Sequence, residues 1–135
     1  MRYLTLLLIF CASASAAEPT ETFEYVGSLA SMLSEAEARD LDQILPADQQ
    51  IRWKLFVPNE SERHGVLVFS HPNASAEPPE GWTQVLRDQK LIWIAAEGFG
   101  NEAPSAQRVL VALVGLAHVR HTYSLDERRI YIAGM

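Results

Sequence analysis

The chain has 135 residues, of which 48% are hydrophobic, and its 11 Lys and Arg against 17 Asp and Glu give a net charge of -6. This composition is typical of a globular protein, and it excludes both intrinsic disorder and nucleic-acid binding through a basic surface. A single cysteine, Cys11, excludes an intramolecular disulfide and a cluster of thiolate metal ligands. The length allows one domain at most.

Residues 1–16 have the organisation of a secretory signal peptide. Arg2 precedes a short apolar run over residues 4–10, and small residues follow it. The run is about half the roughly 20 residues that a membrane-spanning helix needs, so we expect cleavage after Ala16 rather than an anchor. The mature protein would then lack cysteine, carry no stable membrane anchor, and be secreted or periplasmic.

Residues 17–50 are predicted to form an N-terminal leader and a helix. The polar stretch 18–24 predicts a loose leader. Ser34 and Glu37 have the spacing of a capping box, in which each side chain bonds the backbone N–H of the other residue. The box predicts a helix that runs to about Leu45 and ends before the following proline.

Residues 51–135 alternate between strand and helix patterns. The predicted strands are 51–57, 66–69, 91–96 and 129–133, and the predicted helices are 82–89 and 104–123. Strands that are separated by helices predict an α/β fold, with a mostly parallel sheet of about four strands and helices on both faces. In such sheets ligands bind beyond the carboxyl ends of the strands, so we expect residues 70–73, 97–101 and 134–135 on one rim.

Three stretches resemble a known enzyme family: HGVLVFSHPN, LIWIAAEGFGN and LDERRIYIAGM. Over about residues 50–135 the chain resembles the N-terminal half of secreted α/β-hydrolase esterases related to the polyhydroxybutyrate-depolymerase group. The last stretch is the most specific, because the family similarly has an Asp-x-x-Arg turn before the strand that carries the nucleophile. The resemblance also implies that the strand at 51–57 runs antiparallel to the others.

The resemblance implies that the last strand enters a G-x-S-x-G turn, the nucleophile elbow of this family. Gly134 and Met135 would be its first two residues, and the nucleophilic serine is expected immediately after Met135. The present chain would therefore be an N-terminal fragment that ends at the elbow. Its catalytic histidine and acid would lie further along the chain, so this segment alone is expected to be inactive.

The resemblance also assigns roles on the rim. In the family a strand ends in His-Gly, and a backbone N–H of the following loop contributes to the oxyanion hole. His71 matches the histidine, but Pro72 replaces the glycine and has no N–H, so the donor role passes to Asn73. We expect His71 to be structural, and we expect His71, Glu97 and Asn101 to belong to the rim of the substrate cleft.

Two further motifs point to cofactors only weakly. Residues 98–103 fit the G-x-G-x-x-A dinucleotide pattern, but the next strand ends without the acidic residue that would hold a ribose. His118 and His121 could share a helix face, yet no carboxylate stands beside them, and the dipole at a helix C-terminus favours histidine there. No cofactor and no metal site is expected.

The sequence therefore predicts the N-terminal part of a secreted serine hydrolase that acts on a small-molecule or polymeric carboxylic ester. The alternative is a secreted, non-catalytic α/β binding domain. An acidic surface and an export signal fit that alternative equally well.

Overall fold

The structure of the chain is a computed structural model that describes residues 21–59 and 63–134. The predicted signal peptide and Met135 lie outside the described residues. The described elements, in chain order, are β1 (Thr22–Gly27), α1 (Leu29–Met32), α2 (Glu35–Leu41), β2 (Ile51–Phe56), β3 (His64–Ser70), α3 (Trp82–Asp88), β4 (Leu91–Ala96), α4 (Ser105–Thr122) and β5 (Leu125–Gly134).

The strands form one mixed sheet in the order β1-β2-β4-β3-β5. β3 runs parallel to both β4 and β5, whereas β2 runs antiparallel to β4 and β1 antiparallel to β2. The prediction of a mostly parallel sheet of about four strands is therefore wrong. Only seven residues, 57–63, separate β2 from β3, too few for the long crossover that parallel strands need. The antiparallel direction that the family resemblance implies for the strand at 51–57 is confirmed.

β1 replaces much of the predicted loose leader. Its side chains alternate, with Phe23 and Tyr25 half-buried against the core and Thr22, Glu24 and Val26 exposed. Only two aromatic side chains of β1 face the core, so the alternation of apolar and polar residues that would predict a strand is weak in the sequence. Pairing with β2 along the whole strand supplies the rest of the stabilisation.

α2 begins as the capping box predicts. The Ser34 N–H donates to Glu37 Oε2 at 3.0 Å, and the Glu37 N–H donates to Ser34 Oγ at 3.4 Å. The helix ends at Leu41, earlier than predicted, although the backbone of Asp42 keeps helical angles, with φ -59° and ψ -26°. Asp42 Oδ1 there accepts a hydrogen bond from the Ala47 N–H at 2.8 Å, which closes a turn.

Helices cover both faces of the sheet, as predicted. On one face α1, α2 and α4 contribute to a core cluster that contains Trp53 and Ile94. On the other face Leu86 of α3 shares a cluster with Phe69 and Trp93. Both buried indoles are satisfied, since Trp53 Nε1 donates to a carbonyl of α4 at 3.1 Å and Trp93 Nε1 donates to the carbonyl of residue 76 at 3.0 Å. α4 packs on β3 and β4 and α3 packs on β4, whereas the end of β5 is held by its pairing with β3.

Among the described residues no helix combines the length and the apolar character that crossing a bilayer requires.

Candidate functional site

The candidate site lies at the rim where the three parallel strands end. β3 ends at Ser70, which pairs with Gly134 at the end of β5. β4 ends at Ala96, and its continuation over residues 97–103 lies beside the loop that follows β3. The parallel arrangement thus brings all three predicted segments, as far as residue 134, to the same edge.

Two backbone hydrogen bonds join the loops that follow β3 and β4. The Gly98 N–H donates to the Ala74 carbonyl at 2.9 Å, and the Asn101 N–H donates to the Pro72 carbonyl at 2.9 Å. Gly100 is buried between them, and a Cβ there would lie 2.4 Å from the Ala74 nitrogen and 2.6 Å from the Pro72 oxygen. The glycine of the apparent dinucleotide motif thus serves a loop contact, and the two loops form one unit.

Asn73, the predicted oxyanion-hole residue, lies exposed at the tip of the first loop. Its Oδ1 accepts a hydrogen bond from the Ser75 N–H at 3.1 Å, as in an Asx turn. Its own N–H donates to His71 Nδ1 at 3.4 Å, at the long limit for such a bond. A negatively charged oxygen is a stronger acceptor than this imidazole. Such an oxygen could therefore replace His71 Nδ1 as the acceptor of the Asn73 N–H.

His71 belongs to the structure of the same loop. Its ring meets Phe69 edge to face, with 5.9 Å between ring centroids, and its Nδ1 accepts the N–H of Asn73. These contacts link the end of β3 to the loop.

Glu97 is directed away from the end of β5. Its carboxylate Oε2 lies 3.7 Å from Arg52 Nε, and its N–H donates to the Arg52 carbonyl at 2.9 Å. Arg52 belongs to β2, on the opposite side of β4 from β3 and β5. Of the two predicted rim residues that follow β4, Asn101 contacts the loop that carries Asn73, whereas Glu97 pairs with the neighbouring strand instead.

Gly134 packs closely on the end of β3. A Cβ on Gly134 would lie 3.0 Å from the Ser70 carbonyl oxygen, which is tighter than most real Cβ contacts. The close approach explains a glycine here, and a tight approach is also what the first position of an elbow needs. Met135, the second predicted elbow residue, lies outside the described residues.

The turn that the sequence predicts at residues 125–128 lies inside β5, where it forms an irregularity in the pairing with β3. The register with β3 shifts between the pairs His64–Leu125 and Val66–Ile130. Within the shifted stretch Asp126 Oδ1 accepts a hydrogen bond from the Arg128 N–H at 3.2 Å, and bonds from Arg128 hold the pKa of this carboxyl below its usual range.

Arg108 is a further rim residue, and no motif in the sequence singles it out. It lies in the first turn of α4, and its Nε donates to Ser70 Oγ at 3.4 Å. With Ser70, Phe69 and Phe99 it lines a small cavity of about 10 Å³ under the rim. The one feature of the sequence that indicates a rim position for Arg108 is its place in the first turn of a helix that begins directly after a rim loop.

The histidine pair of α4 lies away from this rim, towards the other end of the helix. His118 stacks on Tyr25 with 3.6 Å between ring centroids. Burial, followed by the charge of His121, lowers the pKa of His118. Among the described residues no group of three or more His, Cys, Asp or Glu side chains is arranged to hold a metal ion.

The sequence matches no protein-family model and no curated protein. Among solved structures the chain resembles a thermostable esterase, with a TM-score of 0.53 and 17% identity over 85% of this chain and 34% of the esterase. A protein described as a dipeptidyl aminopeptidase IV from Bacteroides ovatus matches with a TM-score of 0.47 and 12% identity, over 84% of this chain and 17% of its own. The fold is of the α/β-hydrolase type, and the chain spans about a third of the length of the esterase.

Proposed function

We propose that this chain forms the nucleophile-strand part of a secreted serine hydrolase that cleaves carboxylic esters and is related to the polyhydroxybutyrate-depolymerase group. The observation that carries the proposal is the end of β5. Gly134 packs against Ser70 at the rim of an α/β-hydrolase-type sheet, where β3 leads into the loop that carries the exposed residue Asn73. The order of these features along the chain supports an elbow that begins at Gly134.

In the proposed reaction a serine that follows Met135 attacks the ester carbonyl. Its hydroxyl proton passes to a histidine supplied further along the chain, and an acid orients that histidine. The carbonyl oxygen becomes an oxyanion that accepts hydrogen bonds from the Asn73 N–H and from the N–H of the residue after the nucleophile. The alcohol leaves with the proton, and water then releases the carboxylic acid from the acyl-enzyme.

The proposed substrate is a small-molecule or polymeric ester rather than a nucleic acid, because the net charge of -6 would repel a phosphate backbone. Export through the predicted signal peptide belongs to the same proposal. The proposed chemistry uses no cofactor.

The decisive experiment is to read the coding sequence beyond Met135 and to label the whole protein with a fluorophosphonate. We expect Ser-x-Gly to follow Met135 and that serine to be labelled. Residues 17–135 alone should neither label nor hydrolyse 4-nitrophenyl acetate. Any other residue in the nucleophile position would refute the proposal and favour the non-catalytic binding domain.

A matched pair of variants tests the oxyanion role in the whole protein. Asn73→Pro removes the backbone N–H, and we expect it to lower kcat by about 10²- to 10³-fold, the usual effect of losing one donor. Asn73→Ala retains the N–H while removing the bond to Ser75, so it should remain much closer to the wild type. Equal losses in the two variants, at equal thermal stability, would contradict the assignment.

A further inference from the structure

Arg108 brings a positive charge close to the end of β5. Its Nε donates to Ser70 Oγ at 3.4 Å. Ser70 in turn lies against Gly134, whose added Cβ would be 3.4 Å from the Ser70 Cβ. One side chain therefore separates the guanidinium from the turn that is proposed to carry the nucleophile.

The guanidinium has no counter-charge among the described residues. Its bond to Ser70 is long, and a guanidinium has five N–H donors to satisfy. No described carboxylate lies within 4.0 Å of Arg108, and the same holds for Arg63 and Arg129, which bond backbone carbonyls instead. Because Arg108 is half-buried, leaving its charge unpaired costs free energy, and its position favours an anion that arrives from outside the described residues.

The surroundings of Arg108 restrict which anion fits. Apolar groups of Phe69, Phe99 and Ala112 line the cavity beside the guanidinium. The cavity is partly open, and its space of about 10 Å³ holds roughly one water molecule, so a ligand would meet the guanidinium from the mouth of the cavity. An apolar wall beside a planar donor suits a short carbon chain that ends in a carboxylate, which a guanidinium can bind through two parallel bonds.

The carboxylate of Glu97 does not cancel this preference. The Glu97 carboxylate lies 3.7 Å from Arg52 Nε and is therefore compensated on the β2 side of the sheet. Arg108 stands on the β3 side, through its bond to Ser70.

We propose that Arg108 is a specificity-determining residue that binds a free carboxylate on the substrate, so that the preferred substrates are esters with an anionic end. This inference rests on the proposed ester hydrolase and adds the charge of its substrate. A carboxylate from the chain beyond Met135 could satisfy the same guanidinium, and the two sources differ in their kinetic consequences.

The kinetic test uses the whole protein and two esters that share one skeleton, the anionic monoethyl succinate and the neutral diethyl succinate. We expect Arg108→Gln to lower kcat/KM for monoethyl succinate by about 10- to 100-fold and to leave diethyl succinate within about twofold. Arg108→Lys retains the charge but loses the planar fork. Its kcat/KM for monoethyl succinate should therefore lie between those of the wild type and Arg108→Gln. Arg120→Gln removes a charge from the far end of the same helix, where it pairs with Glu127, and should change neither substrate.

Equal losses for the two esters, together with lower thermal stability, would overturn the inference in favour of an internal ion pair. An unchanged kcat/KM for monoethyl succinate would also overturn it.

A binding measurement separates this inference from the proposed function. We expect monoethyl succinate, titrated into the 135-residue chain, to shift the Arg108 Nε–H resonance saturably and to leave that of Arg120 in place. Binding at Arg108 without hydrolysis of either ester by the whole protein would refute the hydrolase and retain the carboxylate site. Hydrolysis without a shift at Arg108 would refute the carboxylate site alone.

Discussion

Replacing Gly100 by alanine tests whether the two rim loops form one unit. The new Cβ would lie 2.4 Å from the Ala74 nitrogen and 2.6 Å from the Pro72 oxygen, both backbone atoms that no side-chain rotation can move. If the loops stay together, the strain of overpacking costs about 1–3 kcal/mol. If they separate, the two hydrogen bonds from Gly98 and Asn101 are lost, at about 1 kcal/mol each. Either response predicts a loss of about 2 kcal/mol in the free energy of unfolding.

Urea denaturation measures this loss, and amide hydrogen exchange locates it. We expect the Gly98 and Asn101 amides to exchange at least about tenfold faster in Gly100→Ala. The strained loops separate more easily, so the hydrogen bonds that protect these amides open at a lower free-energy cost. Gly81→Ala is the matched control. Its φ of +80° strains an alanine, but nothing lies within 4 Å of the new Cβ, so it should lose about 1 kcal/mol without a selective change at the rim. A Gly100→Ala protein within about 0.5 kcal/mol of the wild type, with unchanged exchange, would refute the reasoning.

Two other substitutions test the core and the histidine stack. In Gly115→Ala the added Cβ would lie 2.8 Å from Trp53 Nε1, so overpacking of about 1–3 kcal/mol should exceed the helix-propensity gain of about 0.5–1 kcal/mol. A higher urea midpoint than wild type would contradict this. The pKa of His118 is lowered from its usual 6.5 by burial and by His121, so folding disfavours its protonation, and the wild type should lose stability as the pH falls below about 6.5. His118→Phe retains the stacking on Tyr25 without a titrating group, so its unfolding free energy between pH 7.5 and 5 should vary less; equal pH dependence would exclude this role.

Local signals predicted the elements whose stabilising contacts are themselves local. The bonds between Ser34 and Glu37 join residues three apart, so the start of α2 could be read from the sequence. Its end could not, because the Asp42 side chain bonds the Ala47 N–H across a turn that no short pattern specifies. The continuous apolar runs of β3 and β4 also predicted these strands correctly, because both faces of each strand are covered.

Strand order and direction depend on contacts between distant residues and were therefore harder to predict. β1 contributes only two inward side chains, Phe23 and Tyr25, and is a strand because β2 pairs with it. The family resemblance predicted that β2 runs antiparallel. The alternation of apolar and polar residues in β2 predicts a strand but not its direction. Arg108 was missed for the same reason, because its nearness to Ser70 joins α4 to β3 across a long sequence separation.

The two rim proposals make different demands on the reaction, and Gly100→Ala can tell them apart. Asn73 would stabilise the oxyanion of every ester, whereas Arg108 would act only on a substrate with a carboxylate. Gly100 packs against the loop that carries Asn73, while Arg108 stands on α4 and reaches Ser70. A shift of that loop in the whole protein should therefore lower kcat for monoethyl and diethyl succinate by the same factor. The ratio of their kcat/KM values should stay constant in Gly100→Ala and collapse in Arg108→Gln. A ratio that changes equally in both variants would mean that the loop and the guanidinium serve one site and cannot be assigned separate roles.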